Sequence, residues 1–156
     1  MTEATEDRDE ADVAADYIEE LLDIADIDGD IDIDESGHRV VISVSAPSGA
    51  DGLRVLSRPE TVSALQELTR LAVQARTGEH SGLILDIGGS RDARATELAA
   101  LVDTAIARIE AGASSAALPP MSSYERKLVH DLVADRGFVS ESHGEGAERH
   151  TVIRRA

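Results

Sequence analysis

The sequence predicts an α+β fold made of two small units. Apolar residues recur with a helical period in some segments and alternate as in half-buried strands in others. The segments run helix–strand–strand–helix–helix–strand–helix, then a proline-containing connection, then helix–strand–strand, an order that does not fit a parallel α/β sheet. Only three of the 156 residues are aromatic, so both cores must be built from aliphatic side chains.

Acidic residues are concentrated near the N-terminus. Residues 1–35 contain 16 acidic residues and one basic residue, whereas residues 36–156 contain 15 acidic and 14 basic residues. The net charge of −16 therefore comes almost entirely from the N-terminal block, and the remaining chain is free to carry local basic patches. We predict that residues 1–11 form a disordered acidic tail. The absence of cysteines, of a signal-peptide pattern and of a long apolar span favours a cytoplasmic location.

The first unit is predicted to span residues 12–112. Its predicted elements are a helix from Asp12, a strand in the segment 26–35, a returning strand over 39–46, a short helical piece over 53–56, a long helix, a buried strand over 83–87 and a third long helix. Ser57 and Glu60 have the spacing of a capping box at the start of the second long helix, and Gly78 is placed to end it. The third long helix is predicted to begin at Ser90 and to end at Gly112.

The second unit is predicted to span residues 118–156, after a linker over 113–117 in a stretch of small residues and prolines. Ser122 and Glu125 form another capping-box pattern and open a helix with an apolar face. Two alternating segments then predict a hairpin with a glycine-rich turn, its strands lying over 137–142 and 149–155.

Two segments suggest ligand sites but are better explained as structure. The acidic run around Gly29 has partial calcium-loop spacing, yet the first ligand position would be Ile24, which cannot coordinate a cation, so the alternation favours an edge strand with a charged face. The LDIGGSR segment over 85–91 resembles a phosphate cradle but lacks the Gly-Lys-Ser/Thr ending, which favours a tight strand-to-helix turn. We therefore expect neither a metal nor a cofactor.

Arg126 and His130 are the most informative polar pair. They stand four residues apart on a predicted helix, so they share one face about a turn apart. Arginine offers a planar donor fork that suits phosphate, and histidine can form hydrogen bonds or stack. Lys127 and Arg149 would add supporting charge from the same unit. On spacing alone, an ordinary solvated helix face remains the alternative.

Two longer segments carry a family resemblance. ALPPMSSYERKLVHD with SESHGEGAERHTVI resembles the small single-strand nucleic-acid-binding domain named for its Arg-x-x-x-His signature. Upstream, LLDIADIDGDIDID with ETVSALQELTRLAV resembles a type II KH domain, and this order is that of the bacterial Jag family, also called KH-domain protein B. The resemblance implies a three-stranded KH-like sheet with helices on one face. It also makes Arg126 and His130 the signature pair and Arg149 a basic position after the glycine-rich turn.

The same resemblance implies a cytosolic RNA-binding protein with roles in RNA regulation and cell-envelope growth. Its implied partners are single-stranded RNA or DNA, a small single-KH protein, and the membrane insertase through a peripheral association. The chain departs from the family at the Gly-x-x-Gly clamp, where it has Leu56, Ser57, Arg58 and Pro59. Without the glycines the backbone cannot approach phosphates closely, and Pro59 lacks an N–H donor. We therefore expect a degenerate KH-like unit and binding mainly by the C-terminal domain.

A second class of function is a protein-interaction adaptor. In that case both nucleic-acid surfaces have decayed and the acidic N-terminal half docks a basic partner. No nucleophile–base pair or metal set is visible in the sequence, so we do not expect an enzyme.

Overall fold

A computed structural model describes residues 9–46 and 52–156, which divide into a first unit that ends at residue 91 and a second unit over 92–156. The elements of the first unit are α1 (Glu10–Ile24), β1 (Asp30–Asp34), β2 (Val41–Ser45), α2 (Gly52–Leu56), α3 (Pro59–Thr77) and β3 (Ile84–Ile87). The remaining elements are α4 (Ser90–Glu110), β4 (Ser115–Ala117), α5 (Ser123–Asp135), β5 (Phe138–His143), a 3₁₀ turn (Gly146–Glu148) and β6 (His150–Arg155). The α+β prediction is confirmed.

Helix α1 begins earlier than the sequence suggests. Asp9 caps it, its carboxylate accepting the N–H of Ala11 at 2.6 Å, and Ala11 is buried. The predicted tail over residues 1–11 is therefore wrong for residues 9–11, while residues 1–8 lie outside the described residues. Among the helices of residues 9–46 and 52–156, none is long and apolar enough to cross a bilayer.

The first unit is built on a three-stranded sheet of order β1–β2–β3. Strand β1 is antiparallel to β2, and β2 is parallel to β3. Ile42 and Val44 of β2 stand opposite Leu85 and Ile87 of β3, and these four side chains share a buried core with α1 and α3. The aspartates of β1 alternate with its isoleucines and are exposed. The acidic run is thus an edge strand with a charged face, as predicted.

The start of α3 differs from the predicted capping box. The helix begins at Pro59 with Arg58 as its N-cap, and Arg58 makes no side-chain capping bond. Ser57 lies one residue earlier, where its hydroxyl donates to the carbonyl of Arg54 at 3.0 Å. Proline fits the first helical position because it has no N–H to leave unpaired. The other end is predicted correctly, since Gly78 ends the helix with a left-handed φ of 75°.

The boundary between the units lies in the first turn of α4 and not after the helix. The buried residues of α4 belong to the second core, together with Val129, Val133 and Ile153; they are Leu98, Val102, Ala105, Ile106 and Ile109. The linker expected at 113–117 contains strand β4, which pairs antiparallel with β6. An apolar helical face shows that a helix is covered, but its period cannot show which core covers it.

The second unit is a sheet of order β4–β6–β5 in which both pairings are antiparallel. Helix α5 packs against β5 and β6. The predicted hairpin is confirmed, with Phe138 opposite Arg155 at one end and His143 opposite His150 at the other. This hairpin and α5 together carry most of the candidate site.

Candidate nucleic-acid interface

The first turn of α5 is fixed by a complete capping box. The Ser122 hydroxyl accepts the Glu125 N–H at 3.2 Å, and the Glu125 carboxylate accepts the Ser122 N–H at 3.2 Å. Glu125 also accepts Arg94 Nε at 2.7 Å. Burial lowers the pKa of Arg94, but its hydrogen bonds to Glu125 and Glu97 outweigh burial, so the pKa is raised. The helix start that carries the next residue, Arg126, is therefore firmly placed.

Arg126 and Arg149 are connected through one residue, Met121. Arg126 Nε donates to the carbonyl of Met121 at 3.3 Å, and the Met121 N–H donates to the carbonyl of Arg149 at 3.2 Å. The guanidinium of Arg149 in turn donates from Nη1 to the carbonyl of Gly144 at 2.8 Å. The start of α5 and the turn of the hairpin are thus tied together, and each contributes one cation.

These two arginines differ from most other cations of the second unit. Arg136 and Arg154 each contact a carboxylate at 2.6 Å, as Arg94 does at 2.7 Å. The side-chain bonds of Arg126 and Arg149, by contrast, go to carbonyl oxygens. A carbonyl orients a guanidinium without neutralising its charge. Among the described residues, the side-chain bond of Arg126 uses Nε and leaves both Nη groups to a ligand.

His130 is held by two serines of strand β5. Its Nδ1 lies 2.5 Å from Ser140 Oγ, and its Nε2 lies 3.0 Å from Ser142 Oγ. A hydroxyl can donate or accept, so this pair suits either tautomer of the ring. Because both ring nitrogens are engaged, a nucleic acid can reach His130 through the ring face or by displacing a serine. The sequence analysis did not single out the serines, although their alternation in GFVSES places them on one face.

Lys127 lies on a neighbouring face of α5. It is one residue from Arg126, which turns it by about 100° around the helix. Its side chain is 78% exposed, and its Nζ lies 3.7 Å from Asp131. The structure therefore links Arg126 with Arg149 and places His130 one turn further along the same helix face, whereas Lys127 is separate. Its supporting role stays a prediction.

The loop expected to replace the KH clamp is a tight connection between two helices. Leu56 ends α2 and packs against the first core, Ser57 and Arg58 join the helices, and Pro59 begins α3. The Ser57 N–H donates to the carbonyl of Leu53 at 2.9 Å. Arg58 is exposed and gives this turn its positive charge.

Two amides in and after the glycine turn that follows β3 are occupied by protein groups. Gly88 and Gly89 both have positive φ, and the Gly88 N–H donates to the carbonyl of Val44 at 2.8 Å. The carboxylate of Asp86 accepts the Arg91 N–H at 3.1 Å at the start of α4. A carboxylate at this position takes the place that a phosphate would need, which favours the tight-turn interpretation of the LDIGGSR segment.

A family match covers most of the second unit. Residues 96–155 match the model of the R-3-H domain family, so this part of the chain is similar to that family. The match begins inside α4, which agrees with the assignment of that helix to the second unit.

Similar proteins extend the likeness to both units. The chain is 29% identical over 140 residues to RNA-binding protein KhpB of Bacillus subtilis, 27% over 143 residues to that of Clostridium symbiosum and 25% over 138 residues to that of Lactiplantibacillus plantarum. These alignments cover 88%, 91% and 88% of this chain, but 66%, 64% and 42% of the relatives' lengths. The expected likeness to the Jag family is confirmed at this level, and the KH assignment of the first unit stays a prediction.

Proposed function

We propose that this protein binds single-stranded RNA or DNA, without catalysis, mainly through its C-terminal unit. The observation that carries the proposal is the pair of cations Arg126 and Arg149, which are bonded to the carbonyls of Met121 and Gly144 and are linked through the Met121 backbone. The R-3-H domain match and the relatives named as RNA-binding proteins support the same class of ligand.

The proposed contacts are made to the nucleic-acid backbone. Arg126 offers two Nη groups to a phosphate, and Arg149 offers its remaining donors from the hairpin turn. Phosphate contacts position a strand but carry no base information, so this part of the binding is independent of sequence. His130 orients the helix face against β5 and offers its ring face to the strand.

The first unit is proposed to be a degenerate KH-like domain that serves as a scaffold. Its α–β–β–α–α–β order and mixed three-stranded sheet fit the expected architecture. The bulk of Leu56 and the proline at Pro59 oppose close approach of a phosphate at the helix–helix turn. Cytoplasmic location, a single-KH partner, peripheral contact with a membrane insertase, and roles in RNA regulation and envelope growth are proposals that rest on the resemblance alone.

A titration of labelled single-stranded RNA tests the proposal. We expect the full chain to bind and the Arg126→Ala, His130→Ala double variant to bind much more weakly, with helix content unchanged by circular dichroism. Arg108→Ala is the matched control for charge, because Arg108 is exposed on α4 of the same unit. If the double variant is folded and binds as tightly as the parent chain, the site assignment is wrong.

The adaptor alternative is favoured by one observation, the charged face of edge strand β1. Asp30, Asp32 and Asp34 are exposed side by side. The hydroxyl and the N–H of Ser36 donate to Asp34 at 2.6 and 2.8 Å and lower the pKa of its carboxyl, which keeps it ionised. If the titration shows no RNA binding at low salt, a basic protein partner of this face becomes the better explanation.

A further inference from the structure

The sheet of the second unit has one covered face and one open face. Phe138 and Ile153 project toward α4 and α5 and share their core. The residues that alternate with them project from the opposite face, where Val139 is 39% exposed and the side chains of Glu141 and Arg154 are about half exposed. Because these side chains are exposed, this face can receive a ligand.

Two histidines stand together at one end of the open face. His143 and His150 are directly opposite each other in the last pair of the hairpin, and their ring centroids lie 6.4 Å apart with a tilt of 37°. His150 Nδ1 lies 3.0 Å from the carbonyl oxygen of Glu148, which orients that ring. His143 Nε2 lies 3.6 Å from Glu141, and its side chain is 53% exposed. The two rings thus form a small aromatic surface in a chain that has few aromatic residues.

This surface is continuous with the proposed backbone-binding site. Ser142, which precedes His143, contacts His130 on the covered face. Arg149, which precedes His150, is joined to Arg126 through Met121. At the end of the hairpin, His150 is thus one residue from the cation Arg149, and His143 is one residue from Ser142, the contact of His130. A single strand whose phosphate is bound by Arg149 can place its bases against the rings of His143 and His150 at this end of the hairpin.

We propose that His143 and His150 form a stacking platform for one or two bases of a single strand whose phosphates lie against Arg126 and Arg149. The inference rests on the proposed function. Stacking on aromatic side chains, histidine among them, is a common way for proteins to bind unpaired bases, and it tolerates any base because each has a π face. The neighbouring carboxylate of Glu141 is neutralised by Arg154 at 2.6 Å, which limits repulsion of the strand.

The test compares a ligand with bases and a ligand without them. The full chain is titrated with an oligomer of deoxythymidine of about twelve nucleotides, within the usual range of single-strand sites, and with an abasic oligomer of the same length and charge. Measurements are made near pH 8, where an ordinary imidazole is neutral. We expect the parent chain to prefer the oligomer with bases.

The decisive variants are two double variants. In one, His143 and His150 are both replaced by alanine, and in the other both are replaced by phenylalanine. We expect the alanine pair to lose at least about fivefold in affinity for the thymidine oligomer and little for the abasic one, with an unchanged salt dependence. The phenylalanine pair keeps the rings, supports the hairpin, and should restore binding. His80→Ala, an exposed histidine of the first unit, is the matched control.

The outcomes separate this inference from the proposed function. If the parent chain binds both oligomers equally and the alanine pair changes neither affinity, the stacking platform is refuted while phosphate binding stands. If the parent chain binds neither oligomer, the proposed function is refuted and the inference falls with it. If phenylalanine fails to restore binding in a folded variant, the histidines act through their nitrogens and the stacking proposal is wrong.

Discussion

Replacing Arg126 by alanine should change the salt dependence of binding by a defined amount. Arg126 and Arg149 are two cations of the candidate site whose side-chain bonds go to carbonyl oxygens, and Lys127 can be released from its exposed pair with Asp131. Each phosphate contact on a single strand contributes about 0.7 to the slope of log K against log salt. Two or three contacts therefore predict a slope of about −1.4 to −2.1 for the parent chain.

The Arg126→Ala variant should lose one of these contacts. Its slope should be about 0.7 shallower, so the loss of affinity at about 50 mM salt should exceed the loss at about 200 mM by roughly 2.6-fold. The assay is fluorescence anisotropy with a labelled oligouridine at four salt concentrations. Arg126→Lys should keep the slope but recover only part of the affinity, because a point charge does not reproduce a planar fork.

An unchanged slope in a folded Arg126→Ala variant would mean that Arg126 makes no phosphate contact. If Arg126→Lys binds as tightly as the parent chain, the guanidinium geometry has no role. Helix content should be measured for each variant, because the Nε bond to Met121 also helps to place the start of α5.

Three further predictions concern the surrounding structure. Ser140→Ala removes the hydroxyl that lies 2.5 Å from His130 Nδ1, so it should lower the free energy of unfolding by about 1 kcal/mol and weaken RNA binding. Equal RNA affinity would show that the orientation of the His130 ring does not matter for binding. Thr151 has a buried Oγ1 without a hydrogen-bond partner among the described residues, so Thr151→Val should raise the free energy of unfolding in urea by about 1 kcal/mol, and a loss would reveal a hidden partner. Leu56→Gly with Pro59→Gly should increase RNA binding, because the backbone could then approach a phosphate closely and would gain one N–H donor. No gain in a folded variant would mean that the first unit is unsuited to RNA for another reason, such as its acidic face.

Local patterns predict most elements of the fold. The alternation in the acidic run indicates strand β1, and the spacing of Ser122 and Glu125 indicates the start of α5, because both signals depend on neighbours in sequence. The capping box predicted at Ser57 does not form, because the helix begins at Pro59 with Arg58 as its N-cap. The sequence offers both a capping-box pattern and a proline for this helix start, and only the backbone shows which of them applies.

Long-range relations are not accessible to the sequence. The apolar stripe on α4 is visible there, but the predicted boundary assigns it to the wrong unit because nothing local distinguishes one aliphatic core from another. Strand β4 consists of serine and alanine, which have little strand preference, and it exists because β6 offers a partner. Within the candidate site, Arg126 and His130 stand out by their spacing, whereas the roles of Met121, Ser140 and Ser142 depend on how α5 packs against the hairpin.

We propose that the nucleic acid binds to the C-terminal unit and not to the helix–helix turn of the first unit. Nuclear magnetic resonance of the full ¹⁵N-labelled chain during addition of oligouridine tests it most directly. We predict that the largest chemical-shift changes occur at the Arg126 Nε–H, at the start of α5 and at the amide of Arg149, while Ser57 and Arg58 change little. Changes concentrated at Ser57 and Arg58, with α5 and the hairpin unaffected, would contradict the account.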